Sequence, residues 1–192
     1  FITLGLLFIA RIGLNIPLPG VNYGAYKAYV ESQSGVSQFV GLFNALSGGN
    51  IQSPMLFALG ILPYITSSII FSLLVKVLPS LEALSKEGAS GQKKINQYSR
   101  MLTVPICIFQ GSAICYAIFQ QMAANSPDIV PGGFGFGFVA TAVLGMTAGT
   151  IFLMWLGEQI TAHGIGNGVS LLIVAGIVTG LPGTFVKIID NA

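Results

Sequence analysis

Between Arg100 and Glu158 the chain carries one charged residue, Asp128. So long a stretch without charge constrains the fold more than any other feature, because a surface facing water needs charge to stay solvated. The scarcity extends to the whole sequence: of 192 residues only 7% are charged and 53% are hydrophobic, against about 25% charged in an ordinary soluble domain. A water-soluble fold of this length has too few charges to cover its surface. The sequence therefore reads as an all-α, multi-span membrane protein, whose work is passage across a bilayer rather than chemistry on a substrate. The net charge of +2 gives no strong basic field for nucleic acid.

Five apolar stretches are long enough, or nearly so, to be read as spans, since a helix needs roughly 20 residues to cross the hydrocarbon core. They cover about 1–16, 54–78, 101–122, 138–157 and 168–186. The first begins at Phe1, inside an apolar run with no charged region or cleavage site before it, so a signal peptide is not the reading; the expectation is a first helix that lacks its start. It stops at Pro17-Leu18-Pro19-Gly20. Ser53-Pro54 supplies a cap and a first-turn proline for the second span, which Pro79 ends. In the long connection after the first span, an apolar stretch ending at Gly48-Gly49 is too short to cross. It reads as a short re-entrant or buried helix, tolerated at membrane depth only inside protein or along a water cavity.

Lys76, Lys86, Lys93, Lys94 and Arg100 are five of the eight basic residues. The positive-inside rule places the 79–100 connection in the cytoplasm. Alternation then puts 17–53 and 123–137 outside and 158–167 inside.

Catalytic constellations are missing from the sequence. The one histidine, His163, stands five residues after Glu158, which is not the spacing of a zinc-protease helix. Cys107 and Cys115 are about 80° apart around a helix and read as inert, lipid- or helix-facing thiols. Neither an enzyme nor a cofactor or metal site is expected.

Several polar and apolar positions carry two readings each. Arg11 either snorkels to the interface or partners a polar group in the bundle. Gln110 either makes an interhelical hydrogen bond or sits on a polar seam that opens for a substrate. Ile61, Ile65 and Ile69 share a helix face, as do Val169 and Ile173; such residues are ordinary packing or a hydrophobic constriction. Gly164-Ile165-Gly166-Asn167-Gly168 reads as a tight turn with Asn167 capping the next helix, or as an anion-binding nest. Gly132-Gly133-Phe134-Gly135-Phe136-Gly137 gives a flexible entry to the fourth span, with aromatics suited to the interface.

Longer ordered motifs then point to a family. Arg11-Ile12-Gly13 with Ile16-Pro17-Leu18-Pro19-Gly20, Phe43-Asn44-Ala45-Leu46-Ser47-Gly48-Gly49, and Phe57-Ala58-Leu59-Gly60-Ile61-Leu62-Pro63-Tyr64-Ile65 resemble the first half of SecY, the channel family of the bacterial protein-export translocon. So do Lys86-Glu87-Gly88, Gly91-Gln92-Lys93-Lys94-Ile95-Asn96-Gln97-Tyr98, Met154-Trp155-Leu156-Gly157-Glu158-Gln159-Ile160-Thr161, and the 164–168 turn. Leu46, Ser72 and His163 depart from the family's usual residues. The resemblance implies a pseudo-symmetric ten-helix channel of which this is the N-terminal half, with a missing C-terminal half. It implies a plug at about 41–49, including Leu42, Phe43, Asn44, Leu46, Ser47, Gly48 and Gly49. It implies a pore ring with Ile61, Ile65, Val169 and Ile173, and a lateral gate wall with Thr66, Ile69, Ile70 and Gln110. Implied partners are the small membrane subunits SecE and SecG, the SecA motor or a ribosome, signal peptides, nascent chains and membrane lipids. The implied location is the bacterial inner membrane, ahead of the thylakoid membrane. Half of a secondary transporter is the alternative, since broken spans and glycine turns occur there too.

Overall fold

The computed structural model describes residues 1–32 and 55–178. The expected plug at 41–49 and the end of the fifth span lie outside these. The described chain is helical: α1 Ile2–Gly13, α2 Tyr23–Ser32, α3 Leu62–Val77, α4 Pro79–Lys86, α5 Ala89–Ile114, α6 Gln120–Asn125 and α7 Phe136–His163, then α8 Gly168–Val178. A π-turn, Cys115–Phe119, joins α5 to α6 without a break, so the helix runs on from Ala89 to Asn125 for 37 residues.

That continuous helix and α7 are each long and apolar enough to cross a membrane. The pair α3 and α4 passes together, but bends by 99° at Leu78. The bend follows from Pro79, which pushes the preceding Leu78 out of the helical region, to φ −98° and ψ 114°. α1 and α8 are shorter apolar helices. Among the described residues, then, two helices, or three if the bent pair is one span, are long and apolar enough to cross; five spans were expected along the whole chain.

Three helix boundaries differ from those expected of the spans. The second span was placed to start at 54, but helix begins at Leu62. Residues 56–61 instead form successive turns, with the Ala58 N–H donating to Met55 O and the Gly60 N–H to Phe57 O. Gly60 has φ +59°, a conformation that ends any helix trying to run through it. The third helix starts at Ala89 rather than 101, because its polar first turns are held by packing. Gly91 lies hard against the Leu84 carbonyl of α4, where no Cβ would fit, and Ile95 and Ser99 are buried. α7 likewise continues past 157 to His163. The 79–100 connection is thus mostly helix, in α4 and the first turns of α5.

The core lies between the end of the continuous Ala89–Asn125 helix and α7. Cys115, Phe119 and Met122 pack with Val139, Ala142, Val143 and Met146, and Leu18 and Leu59 close the cluster. A second cluster joins Ala10 of α1, Phe57, Leu153 and Leu156. Phe57 fits because two glycines make room. A Cβ on Gly13 would overlap its ring, and a Cβ on Gly149 would overlap the ring and the Leu56 carbonyl.

The connections gather at two ends. At one, the Ile165 N–H donates to Thr3 Oγ1 at 3.3 Å and Arg100 meets Glu158. At the other, the Asn22 N–H donates to Ile129 O at 2.9 Å, and Phe138 lies beside Gly20. The five basic residues from Lys76 to Arg100 belong to the first end.

The glycine notch is testable. Gly149→Val, which must displace Phe57, should cost about 1–3 kcal/mol and lower the thermal midpoint of the full-length protein in detergent. Gly5→Val, at an open surface position, should leave the midpoint unchanged.

Candidate functional site

The turn at 55–61 has a fixed depth. Thr150 Oγ1 donates to the Gly60 carbonyl at 3.1 Å, and Thr150 is fully buried. α7 is 28 residues, or about 42 Å long, and Thr150 stands near its middle. Gly60 and Ile61 are therefore held level with the middle of the helix.

A small cavity of about 40 Å³ opens there. Leu7, Arg11 and Leu14 of α1, Ile61, Leu153 of α7 and Ile173 of α8 are among its lining residues. It brings together two of the four residues expected in a ring: Ile61, which is 4% exposed, and Ile173, which is half-buried. Ile65 follows one turn along α3 and is half-buried; it does not line the cavity. Val169 turns toward α7, where its Cγ2 lies 3.3 Å from the position a Gly157 Cβ would take.

α8 reaches this place through a close backbone crossing. A Cβ on Gly168 would overlap the Gly157 carbonyl, so Gly168 is needed at the contact, while a Cβ on Gly157 would only press on Val169 Cγ2 at 3.3 Å. Asn167 caps the helix as the sequence suggests, accepting from the Ser170 N–H at 3.2 Å. The Gly168 N–H is satisfied by Thr161 Oγ1 at 2.9 Å, and Thr161 in turn donates to Gly157 O.

The residues expected on a gate wall lie on α3 and α5. The Thr66 hydroxyl donates to Leu62 O at 3.0 Å, within its own helix. Ile69 is 55% exposed and Ile70 37%, so both stand on an uncovered apolar face. Gln110 is half-buried on α5, beside the exposed Phe109.

Sequence reasoning passed over the contact that ties α3 to α5. The Ser67 hydroxyl, fully buried, donates to Ser99 O at 2.5 Å and lies 3.3 Å from Ser99 Oγ. Thr103 Oγ1, also fully buried, donates to the same carbonyl at 2.9 Å. The available signal was small hydroxyl residues at helical spacing, Ser99 and Thr103, facing a serine in another apolar helix. Arg100 and Glu158 were also missed as a pair. Arg100 Nε stands 2.5 Å from Glu158 Oε1, a charge contact rather than an aligned hydrogen bond. With the Arg100 side chain about half exposed, it is worth at most about 1 kcal/mol. Both cysteines are buried free thiols.

Comparison with known proteins decides the family. The SecY family model matches residues 55–192. This chain belongs to the SecY family. It is 44% identical over 190 residues to the protein translocase subunit SecY of Escherichia coli (strain K12), and 43% identical over 190 residues to that of Haemophilus influenzae. Each alignment covers 99% of this chain. The SecY of Streptomyces scabiei is 46% identical over 185 residues, 94% of this chain. The chain spans 42% of the length of these curated relatives. As a SecY family member with apolar helices long enough to cross a bilayer, it is a membrane protein.

The hydroxyl contact gives a prediction of stability. Ser67→Ala removes a buried hydrogen bond and should cost about 1 kcal/mol, read as a lower melting midpoint of the full-length protein in detergent. Ser72→Ala, whose exposed hydroxyl bonds only to Ser68 O of the same helix, should cost nothing measurable.

Proposed function

We propose that this chain is the N-terminal half of a protein-conducting channel, which passes unfolded secretory polypeptides across the membrane and releases apolar segments sideways into lipid. The observation that carries the reading is the shared cavity of Ile61 and Ile173 at the mid-length of α7, in a chain similar along nearly its whole length to protein translocase subunits. Apolar branched side chains suit such a constriction. They form no hydrogen bonds with a moving backbone, and they shift rotamers to seal around side chains of different size. On this reading Ile65 and Val169 join the ring when a second half completes it, and the plug is the apolar stretch at 41–49.

The exposed apolar strip of Ile69 and Ile70 on α3 supports its role as a gate wall, with Thr66 and Gln110 as the polar groups beside it. A signal peptide opens such a gate only by binding the open arrangement better than the closed one. The chain performs no bond chemistry of its own and needs no cofactor. A motor ATPase such as SecA, or a ribosome, supplies the drive at the basic end, with SecE and SecG completing the assembly in the bacterial inner membrane.

The test is a photo-reactive residue at Ile61 of the full-length protein, with a secretory chain arrested midway. A crosslink to the arrested chain is the expected outcome. Crosslinks confined to neighbouring helices or lipid, with the substrate engaged, would overturn the ring. A polar replacement, Ile61→Asn, should also raise ion leak through the reconstituted resting channel; unchanged conductance counts against the reading.

A further inference from the structure

Arg11 lines the same cavity as Ile61 and Ile173. The rotation of α1 that puts it there is fixed by packing, with Ala10 buried against Leu153 and Leu156 and Gly13 pressed on Phe57. Its depth is unusual for a charge. Leu153, across the cavity, is ten residues from His163 at the end of α7, about 15 Å along the helix axis. Arg11 is therefore near the middle of the layer that α7 would cross, and away from the interface to which a snorkelling side chain extends.

Among the described residues the guanidinium has no ion-pair partner. Among the described residues the ion pairs are Lys86 with Glu82, Lys94 with Glu87 and Arg100 with Glu158. The contact at Arg11 is made by its backbone carbonyl, which accepts from the Asn15 amide at 3.2 Å. A helix C-terminus favours a cation, but only partly offsets the cost of a charge at mid-depth. Charges at such depth face the bundle interior or a water-filled cavity, where they pair with other polar groups or mark the route of what moves; the cavity lined by Ile61 and Ile173 favours the second for Arg11.

We propose that Arg11 is a specificity-determining residue of the passage, a fixed cation beside the constriction that slows lysine- and arginine-rich segments relative to aspartate- and glutamate-rich ones. The inference rests on the channel reading above and adds a preference that an apolar ring alone lacks. A ring of isoleucine and valine treats the two signs of charge alike, whereas a guanidinium in a narrow, weakly screened space does not.

The experiment uses inverted membrane vesicles holding the full-length protein, with the membrane potential collapsed so that no external field sorts the charges. Three secretory substrates carry a central run of lysines, glutamates or serines, and protease protection follows their import. With the wild-type protein the lysine run should enter about fivefold more slowly than the serine run, and the glutamate run no more slowly than serine. Arg11→Gln should bring the three rates together, Arg11→Glu should make the glutamate run the slow one, and Arg11→Lys should keep the wild-type order. Each ratio is internal to one variant, so a smaller amount of folded channel cancels. An unchanged lysine-to-glutamate ratio in Arg11→Gln and Arg11→Glu, including a uniform slowing of all three substrates, overturns the filter while leaving the channel standing. Failure of the wild-type protein to import even the serine run overturns the channel reading itself, and the filter with it.

Discussion

The Phe57 ring fills a notch that exists only because Gly13 and Gly149 carry no side chain. Nearly everything about the central region depends on that fit. It brings α1 against α7, draws the 55–61 turn between them, and leaves the Gly60 carbonyl in reach of Thr150. In an apolar surrounding there is little hydrophobic gain from joining helices, so close van der Waals contact between small residues does the joining. Gly168 repeats the device where α8 crosses α7. Helices held this way keep a defined rotation, and rotation decides which side chains face the cavity.

The continuous helix from Ala89 to Asn125 works with two different surfaces along its length. Its first half is joined to α3 by hydroxyl groups, with Ser67 and Thr103 both donating to Ser99 O and Phe71 stacked on Tyr98. Its second half is joined to α7 by apolar packing at Cys107, Gly111 and Cys115. Pro105 lies between the two and removes one helical hydrogen bond there. Polar contacts suit the first half because each buried hydroxyl finds a carbonyl, and an unsatisfied one at that depth would be costly. The second half continues through the π-turn into an aromatic cluster of Tyr116, Phe119, Phe134 and Phe138, near the end opposite the basic residues.

Much of this was legible in the residues. The uncharged stretches placed most of α5 and α7, Asn167 announced its cap, and Pro79 announced the end of α3. Other features were not. Ser53-Pro54 has the chemistry of a helix start, yet helix waits until Leu62, because Phe57 and Leu59 are buried in turns that only their neighbours stabilise. Isoleucines at helical spacing suggest one helix face for Ile61, Ile65 and Ile69, yet Ile61 stands in the turn just before the helix that carries the other two. They do not show that Ile61 is nearly covered while Ile69 is 55% exposed, since that depends on which helices stand beside each turn. Arg11 had the same ambiguity: its position near the end of a short apolar run suited an interface.

The sequence by itself determined the solvent, the helical class and the family, because charge scarcity, apolar length and ordered motifs are properties of the chain read in one dimension. Only the tertiary structure decided that Ile61, Ile173 and Arg11 share one cavity, and that Ser67 meets Ser99. Periodicity orients a side chain about its own helix axis and says nothing of the neighbour it meets. That choice rests on glycine contacts between distant parts of the chain, where the missing side chain on one helix matters only once the ring from another has arrived.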